Sequence, residues 1–222
     1  MNQSISKNFE SEVRIFVKDI TAFRKKLKNL NAESVLSYRF NDHCYKPRKG
    51  SIEDWDPSRK TMRLRAWSHP EIYSQILFSK TEILEWNDLQ YKRTVYPQGK
   101  LELFRGEKRY AEELLKDWEF EEWFIVEKRN GELYKIKNKS IGEFVIALEN
   151  IYSQGQSVGY LGELEAWGTD MNEVAQKIYE RMHILGITTK EITFRSLPAI
   201  VYQKVIKYLS QKHLSTNHVS RV

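Results

Sequence analysis

The sequence predicts an α+β fold, and three observations carry that prediction. Runs that alternate with a period of two recur along most of the chain, which is the pattern of strands with two unlike faces. Stretches with helical spacing stand between them, at 19–29, 109–118 and 170–185. Asn130-Gly131, flanked by the runs 123–129 and 132–137, is the strongest short hairpin signal in the chain.

The first element is the strand 9–15. Its period sends Glu10, Glu12 and Arg14 to one face and Phe9, Ser11, Val13 and Ile15 to the other. Asp19 can cap the helix that follows, in which Ile20, Phe23 and Leu27 recur on one side and Arg24, Lys25, Lys26 and Lys28 form a solvated face. A second strand is expected at 35–45, and 46–60, with Pro47, Gly50 and Pro57, reads as a loop. Strand 61–67 sets Arg63 and Arg65 side by side. In strand 72–80, Lys80 shares a face with Ile76 and Phe78 and is either a snorkelling surface lysine or the end of an inward row. Strand 89–96 puts Gln90, Lys92, Thr94 and Tyr96 on its polar face, and whether Lys92 or Arg93 points inward stays open.

Residues 97–100 form a turn, and helix 109–118 has Tyr110, Leu114 and Leu115 on its apolar side. Around the hairpin, parity puts Lys128 and Arg129 on opposite faces, so only one of them can point inward. Strand 143–149 turns Phe144, Ile146 and Leu148 outward and leaves small residues beside Glu149. Strand 160–166 repeats the paired carboxylates as Glu163 and Glu165. Gly186 stops the helix after it, a last helix opens at Pro198, and 211–222 reads as a loose tail beyond a single domain spanning 1–210.

Three strands thus each carry a same-face charged pair. Neighbouring like charges repel, so they are tolerated in water or opposite a counter-charge. A surface salt-bridge ladder would satisfy the first strand alone; three such strands favour a ligand. Carboxylate pairs suit a hard divalent cation that takes oxygen ligands, and paired guanidinium groups suit phosphate oxygens.

Composition narrows the classes. Across 222 residues, 30% charged and 41% hydrophobic, the balance is that of a soluble globular chain. A net charge of +6 and a pI near 9.2 favour anionic partners. Cys44 is the only cysteine, which excludes an intrachain disulfide and thiolate clusters, and His43, His69, His183, His213 and His218 lack zinc-ligand spacing. No apolar run is long enough to span a bilayer and 1–7 has no apolar signal core, so no membrane partner and a cytoplasmic location are expected. Glycine-loop nucleotide motifs are absent. Chemistry must rest on carboxylates and basic groups.

The ordered set of Glu10-x-Glu12-x-Arg14, Arg63-Leu64-Arg65, Lys80, the segment 126–129, Glu149 and Gly162-Glu163-Leu164-Glu165 resembles the CYTH superfamily of triphosphate tunnel metalloenzymes, over roughly 9–210. The resemblance implies an eight-stranded antiparallel barrel with a charged tunnel and helices packed outside. It implies that Arg14, Arg63, Arg65, Lys80 and Lys128, with Lys92 and Arg195 added, bind ATP or inorganic triphosphate. It also implies that Glu10, Glu12, Glu149, Glu163 and Glu165 hold Mg²⁺ or Mn²⁺, and that Glu10 and Glu12 act with the five basic residues in catalysis. Class IV adenylyl cyclase and triphosphatase are both implied activities, and a polyphosphate-, nucleotide- or RNA-binding module without turnover is the alternative. Lys128 is favoured over Arg129 on the same ground. Oligomeric state is not legible.

Overall fold

Eight antiparallel strands close into a barrel in the order β1-β5-β4-β3-β2-β7-β8-β9, and β9 returns to pair with β1. The computed structural model describes residues 8–208 except Ile52 and Gln98; the tail expected at 211–222 and the segment 1–7 lie outside the described residues. In chain order the strands are β1 (Phe9–Val17), β2 (Glu33–Pro47), β3 (Lys60–His69), β4 (Ser74–Trp86), β5 (Leu89–Thr94), β6 (Leu101–Gly106), β7 (Phe120–Asn138), β8 (Gly142–Ser153), β9 (Gln156–Gly168) and β10 (Ile192–Thr193). The helices are α1 (Ile20–Asn29), α2 (Lys108–Asp117), α3 (Met171–Ile184) and α4 (Leu197–Val201), with a π-helical turn at Tyr202–Ile206. Two short strands add to the wall: β6 pairs with β4 and β10 with β1. Among the described residues no helix is long and apolar enough to cross a membrane.

Apolar strand faces point outward and are covered by helices. Val13, Ile15, Leu89, Tyr91, Phe144, Ile146, Leu148 and Leu164 form one buried cluster with Phe23 and Leu27 of α1 and Val174, Ile178 and Met182 of α3. Met62, Leu64 and Ile76 form a second with Ala111 and Leu115 of α2. Asp19 caps α1 by accepting from the Ala22 amide at 2.9 Å, and Asp170 caps α3 through Glu173 at 2.8 Å. With apolar residues committed to the outside, alternation drives the charged faces into the lumen.

The lumen changes character along its axis. Phe16, Cys44, Phe124, Val126, Ile151 and Leu161 have the same strand parity as Arg14, Asp42, Lys128, Glu149 and Glu163, yet they pack against Leu197, Ile200, Val201 and Val205. The segment from α4 through the π-helical turn therefore seats its apolar side chains in one end of the barrel. Ser196 caps α4 through the Ala199 amide, and its hydroxyl donates to Pro57 O at 2.5 Å, tying the segment to the 48–59 loop. The expected last helix thus starts where Pro198 predicts, and residues 209–222 lie outside the described residues.

The hairpin expected at Asn130-Gly131 is not formed. β7 runs unbroken from Phe120 to Asn138 because it is paired on both sides, to β2 and to β8. Asn130 takes the left-handed conformation the motif favours (φ 53°), but the residue is absorbed as a bulge, with register shifts opposite it in both neighbours. Gly131 is required by close approach, since a Cβ there would enter the Tyr38 ring. Strand 72–80 also differs: β4 begins at Ser74 and continues to Trp86, because β5 extends its ladder beyond the part paired with β3.

Candidate active site

Twelve ionisable side chains converge in the charged half of the lumen. The acids are Glu10, Glu12, Asp42, Glu149, Glu163 and Glu165; the bases are Arg14, Arg63, Arg65, Lys92, Lys100 and Lys128. The formal count is six of each sign, and protonation of Glu165 leaves the lumen slightly positive at neutral pH. Such a set of buried charges is stable only as a mutually paired network.

β1 supplies the centre. Register sets Glu12 beside both Glu165 of β9 and Lys92 of β5, and Arg14 beside Glu163. Glu12 Oε1 accepts from Lys92 Nζ at 2.5 Å and Arg14 Nη2 at 3.1 Å, and Arg14 also pairs with Glu163 and, at 3.7 Å, with Glu149. Glu149 accepts from Lys128 Nζ and from the Tyr38 hydroxyl, each at 2.5 Å. Across the lumen Asp42 holds the arginine pair: Arg65 donates through Nε at 2.7 Å and Nη2 at 2.9 Å, and Arg63 through Nη1 at 3.1 Å. The Arg65 guanidinium also lies 3.8 Å over the Phe40 ring.

Polar atoms remain without partners inside this network. Glu12 Oε2, Arg14 Nε and Arg63 Nε are buried and make no hydrogen bond. Oxygens of Glu10, Glu12 and Glu165 lie within 4.8 Å of one another, a donor set of the kind a hard cation takes. Burial and the Glu163 carboxylate push the Glu165 carboxyl up to about 9, whereas Arg14, Lys128 and Lys100 overcome burial to hold Glu163 well below the usual range. Burial and Glu163 act upward on Glu12 too, but Lys92, Arg14 and Lys100 outweigh them and keep it ionised down to about 2. Asp42 is held low against burial by Arg65 and Arg63.

Of the residues singled out in the sequence, Glu10, Glu12, Arg14, Arg63, Arg65, Lys92, Lys128, Glu149, Glu163 and Glu165 come together here. Lys92 and Lys128 are the inward members of their pairs; Arg93 lies outward against Glu82 and Arg129 against Glu127. Lys80 does not join them. It shares the face of Ile76 and Phe78, which is the outer one under α2, and its side chain is exposed. Arg195 is also exposed and bonds Gln203, because the residues after it, not Arg195 itself, enter the barrel end.

Three contributors escaped the sequence reading. Asp42 and Tyr38 lie on the face of β2 that alternates Tyr38, Phe40, Asp42, Cys44; an acid among large apolar residues was the available signal. Lys100 comes from the 97–100 turn, where Gly99 has φ +82° and a Cβ would meet Glu10 Oε2. Its ammonium stands 3.3 Å from Glu10.

No family model matches the sequence, and no curated protein matches it. Solved structures do. A conserved hypothetical protein from Pyrococcus furiosus aligns with a TM-score of 0.56 at 21% identity, covering 85% of this chain and 97% of that one. A protein from Vibrio parahaemolyticus provisionally named an adenylate cyclase aligns at 0.61 and 16% identity over 87% and 97%. A provisionally named adenylyl cyclase from Hippeastrum, described as having a dominant triphosphatase activity, aligns at 0.56 and 12% identity over 88% and 95%. At these identities the likeness is one of fold: this chain shares with them a closed antiparallel barrel flanked by helices.

Proposed function

We propose that the protein is a divalent-metal-dependent enzyme that acts on a triphosphate bound in the barrel lumen. The observation that carries this reading is the gathering of six acidic and six cationic side chains, most of them buried, in one lumen. A triphosphate alone would add roughly four negative charges to a poorly solvated chamber that carries about one net positive charge while Glu165 is protonated, and metal ions alone would add positive ones; together they nearly cancel. A pure anion receptor needs carboxylates only as counter-charges to its cations, and the mutually facing oxygens of Glu10, Glu12 and Glu165 exceed that need.

Arg63 and Arg65, already oriented by Asp42, would take phosphate oxygens from one side, and Arg14, Lys92 and Lys128 from the other. Their role is to neutralise and align the chain of phosphates, which supplies most of the acceleration in phosphoryl transfer. Glu10, Glu12 and Glu165, whose carboxylate oxygens are within reach of one another, fit Mg²⁺ or Mn²⁺, and Glu163 and Glu149 would complete the set. When bound, the ion would polarise the phosphate and lower the pKa of the attacking hydroxyl or water. The apolar end filled by α4 would keep bulk water from that side.

The test is product release from ATP and from inorganic triphosphate, with Mg²⁺, with Mn²⁺ and with EDTA. Phosphate from triphosphate identifies a hydrolase, and pyrophosphate with cyclic AMP a class IV cyclase. Tight binding without turnover under every condition would overturn the enzyme reading in favour of a binding module. A nearly balanced lumen also predicts synergy: triphosphate affinity should fall at least about tenfold when EDTA removes the metal, one uncompensated charge in such a site being worth at least about 1.4 kcal/mol.

A pH dependence follows from Glu165. With its carboxyl raised to about 9, it is largely protonated at neutral pH, and a metal must displace that proton. Mn²⁺ affinity should therefore climb as pH rises from 6 to 9 and release up to about one proton per ion. Calorimetry in two buffers of different ionisation enthalpy measures that proton count; a count near zero across the range would remove Glu165 from the ligand set.

A further inference from the structure

The wall that turns Arg63 and Arg65 inward has a second charged feature on its other side. Lys60 of β3 and Lys80 of β4 are directly opposed in register and stand on the outer face, alternating with Thr61 and Ser79, whose hydroxyls bond each other at 2.7 Å on the lumen side. Like charges opposed across a sheet are destabilising. Neither ammonium has a carboxylate partner among the described residues: Glu82 is taken by Arg93, and Asp56 lies at 4.0 Å from Arg59.

These lysines line a groove of about 880 Å³ together with Arg59, Trp55, Phe78, Tyr96 and one acid, Glu82, which Arg93 neutralises. The three rings form a row, with centroids 6.2 Å apart for Trp55 and Phe78 and 6.0 Å for Phe78 and Tyr96, and Lys60 lies 5.0 Å over Trp55. Trp55 and Phe78 back onto the cluster under α2, yet all three rings remain half-buried.

We propose that this groove is a nucleotide-binding site on the outer wall, separate from the lumen and back to back with it. A row of rings beside three cations fits a ligand carrying both a base and a phosphate. A simple inorganic anion would leave the rings unused, and an apolar partner would strand three desolvated cations. The nucleotide unit can come from a free mononucleotide or from a single strand.

The test uses probes without a triphosphate, so that the lumen does not compete: AMP and a 5′-hydroxyl octauridylate, titrated in EDTA. Saturable binding is expected, with a slope of log affinity against log salt of about −2 for the oligonucleotide, from about −0.7 per phosphate contact at three cations. Lys80→Gln, an exposed substitution, should weaken binding several-fold. Lys60→Gln/Lys80→Gln should weaken it at least tenfold and bring the slope near −0.7, one contact remaining, with thermal unfolding confirming that both variants fold. Much tighter binding of the oligonucleotide than of AMP would assign the groove to single strands, and equal binding to free nucleotides. Absence of saturable binding by either probe, or binding unchanged in the double variant, overturns the proposal.

Discussion

Asp42→Asn is expected to lower stability by about 3 kcal/mol, the low end of the cost of removing one partner from a buried ion pair, and Tm by roughly 6–12 °C for a chain of this size. The substitution conserves shape, so packing against Phe40 and Cys44 is kept and the effect isolates charge. It leaves the Arg63 and Arg65 guanidinium groups, both largely shielded from water, without the carboxylate that now binds them through three hydrogen bonds. Two further readouts separate this from a general packing defect. Asp42 is depressed by its arginines, so its contribution is present above the ordinary carboxylate pKa and is lost as pH falls through the folded value; the wild type should weaken in acid more steeply than the variant. Inorganic triphosphate should raise Tm more in Asp42→Asn than in the wild type, because the ligand then restores the missing counter-charge. Equal stability of the two proteins at pH 7 would show that the arginine pair does not depend on Asp42.

The same residue marks where the sequence stops being informative. Glu10-x-Glu12, Arg63-x-Arg65 and Glu163-x-Glu165 are legible because a same-face like-charge doublet in a strand demands a counter-charge, and period-two parity transfers to the barrel unchanged. Asp42 is a single acid in a strand that reads Asn41-Asp42-His43, and only register with β3 shows that it faces Arg65. Lys100 arrives from a turn, outside any periodic pattern. For Lys80 the parity reading was right but the choice of face was wrong, since Ile76 and Phe78 are apolar because α2 covers them. Asn130-Gly131 carries the local conformation of a hairpin, and pairing on both sides of β7 overrides it. Local chemistry thus identified the charged faces, whereas long-range register decided which of the remaining residues they meet.

Glu12→Gln should cost at least about 10²-fold in kcat/KM with either metal, the scale of deleting one electrostatic contact to a developing charge. Glu12 is the residue through which both halves of the site are joined: one oxygen accepts from Lys92 and Arg14, the other is buried without a hydrogen-bond partner, and the carboxylate adjoins those of Glu10 and Glu165. Removing its charge weakens the cation site and also releases Lys92 and Arg14 toward the phosphates. These consequences act oppositely on substrate affinity and in the same direction on turnover. The variant should therefore bind Mn²⁺ more weakly and bind inorganic triphosphate in EDTA at least as tightly as the wild type, while turnover falls. Arg65→Ala should show the reverse pattern, losing triphosphate affinity in EDTA with Mn²⁺ affinity little changed, because Arg65 lies across the lumen against Asp42. Metal titration, triphosphate binding and turnover on both variants give the separation directly. If Glu12→Gln keeps activity within about twofold of the wild type, a change of under about 0.5 kcal/mol in the barrier, the carboxylates of β1 and β9 do not hold the catalytic ion and the site must be reassigned.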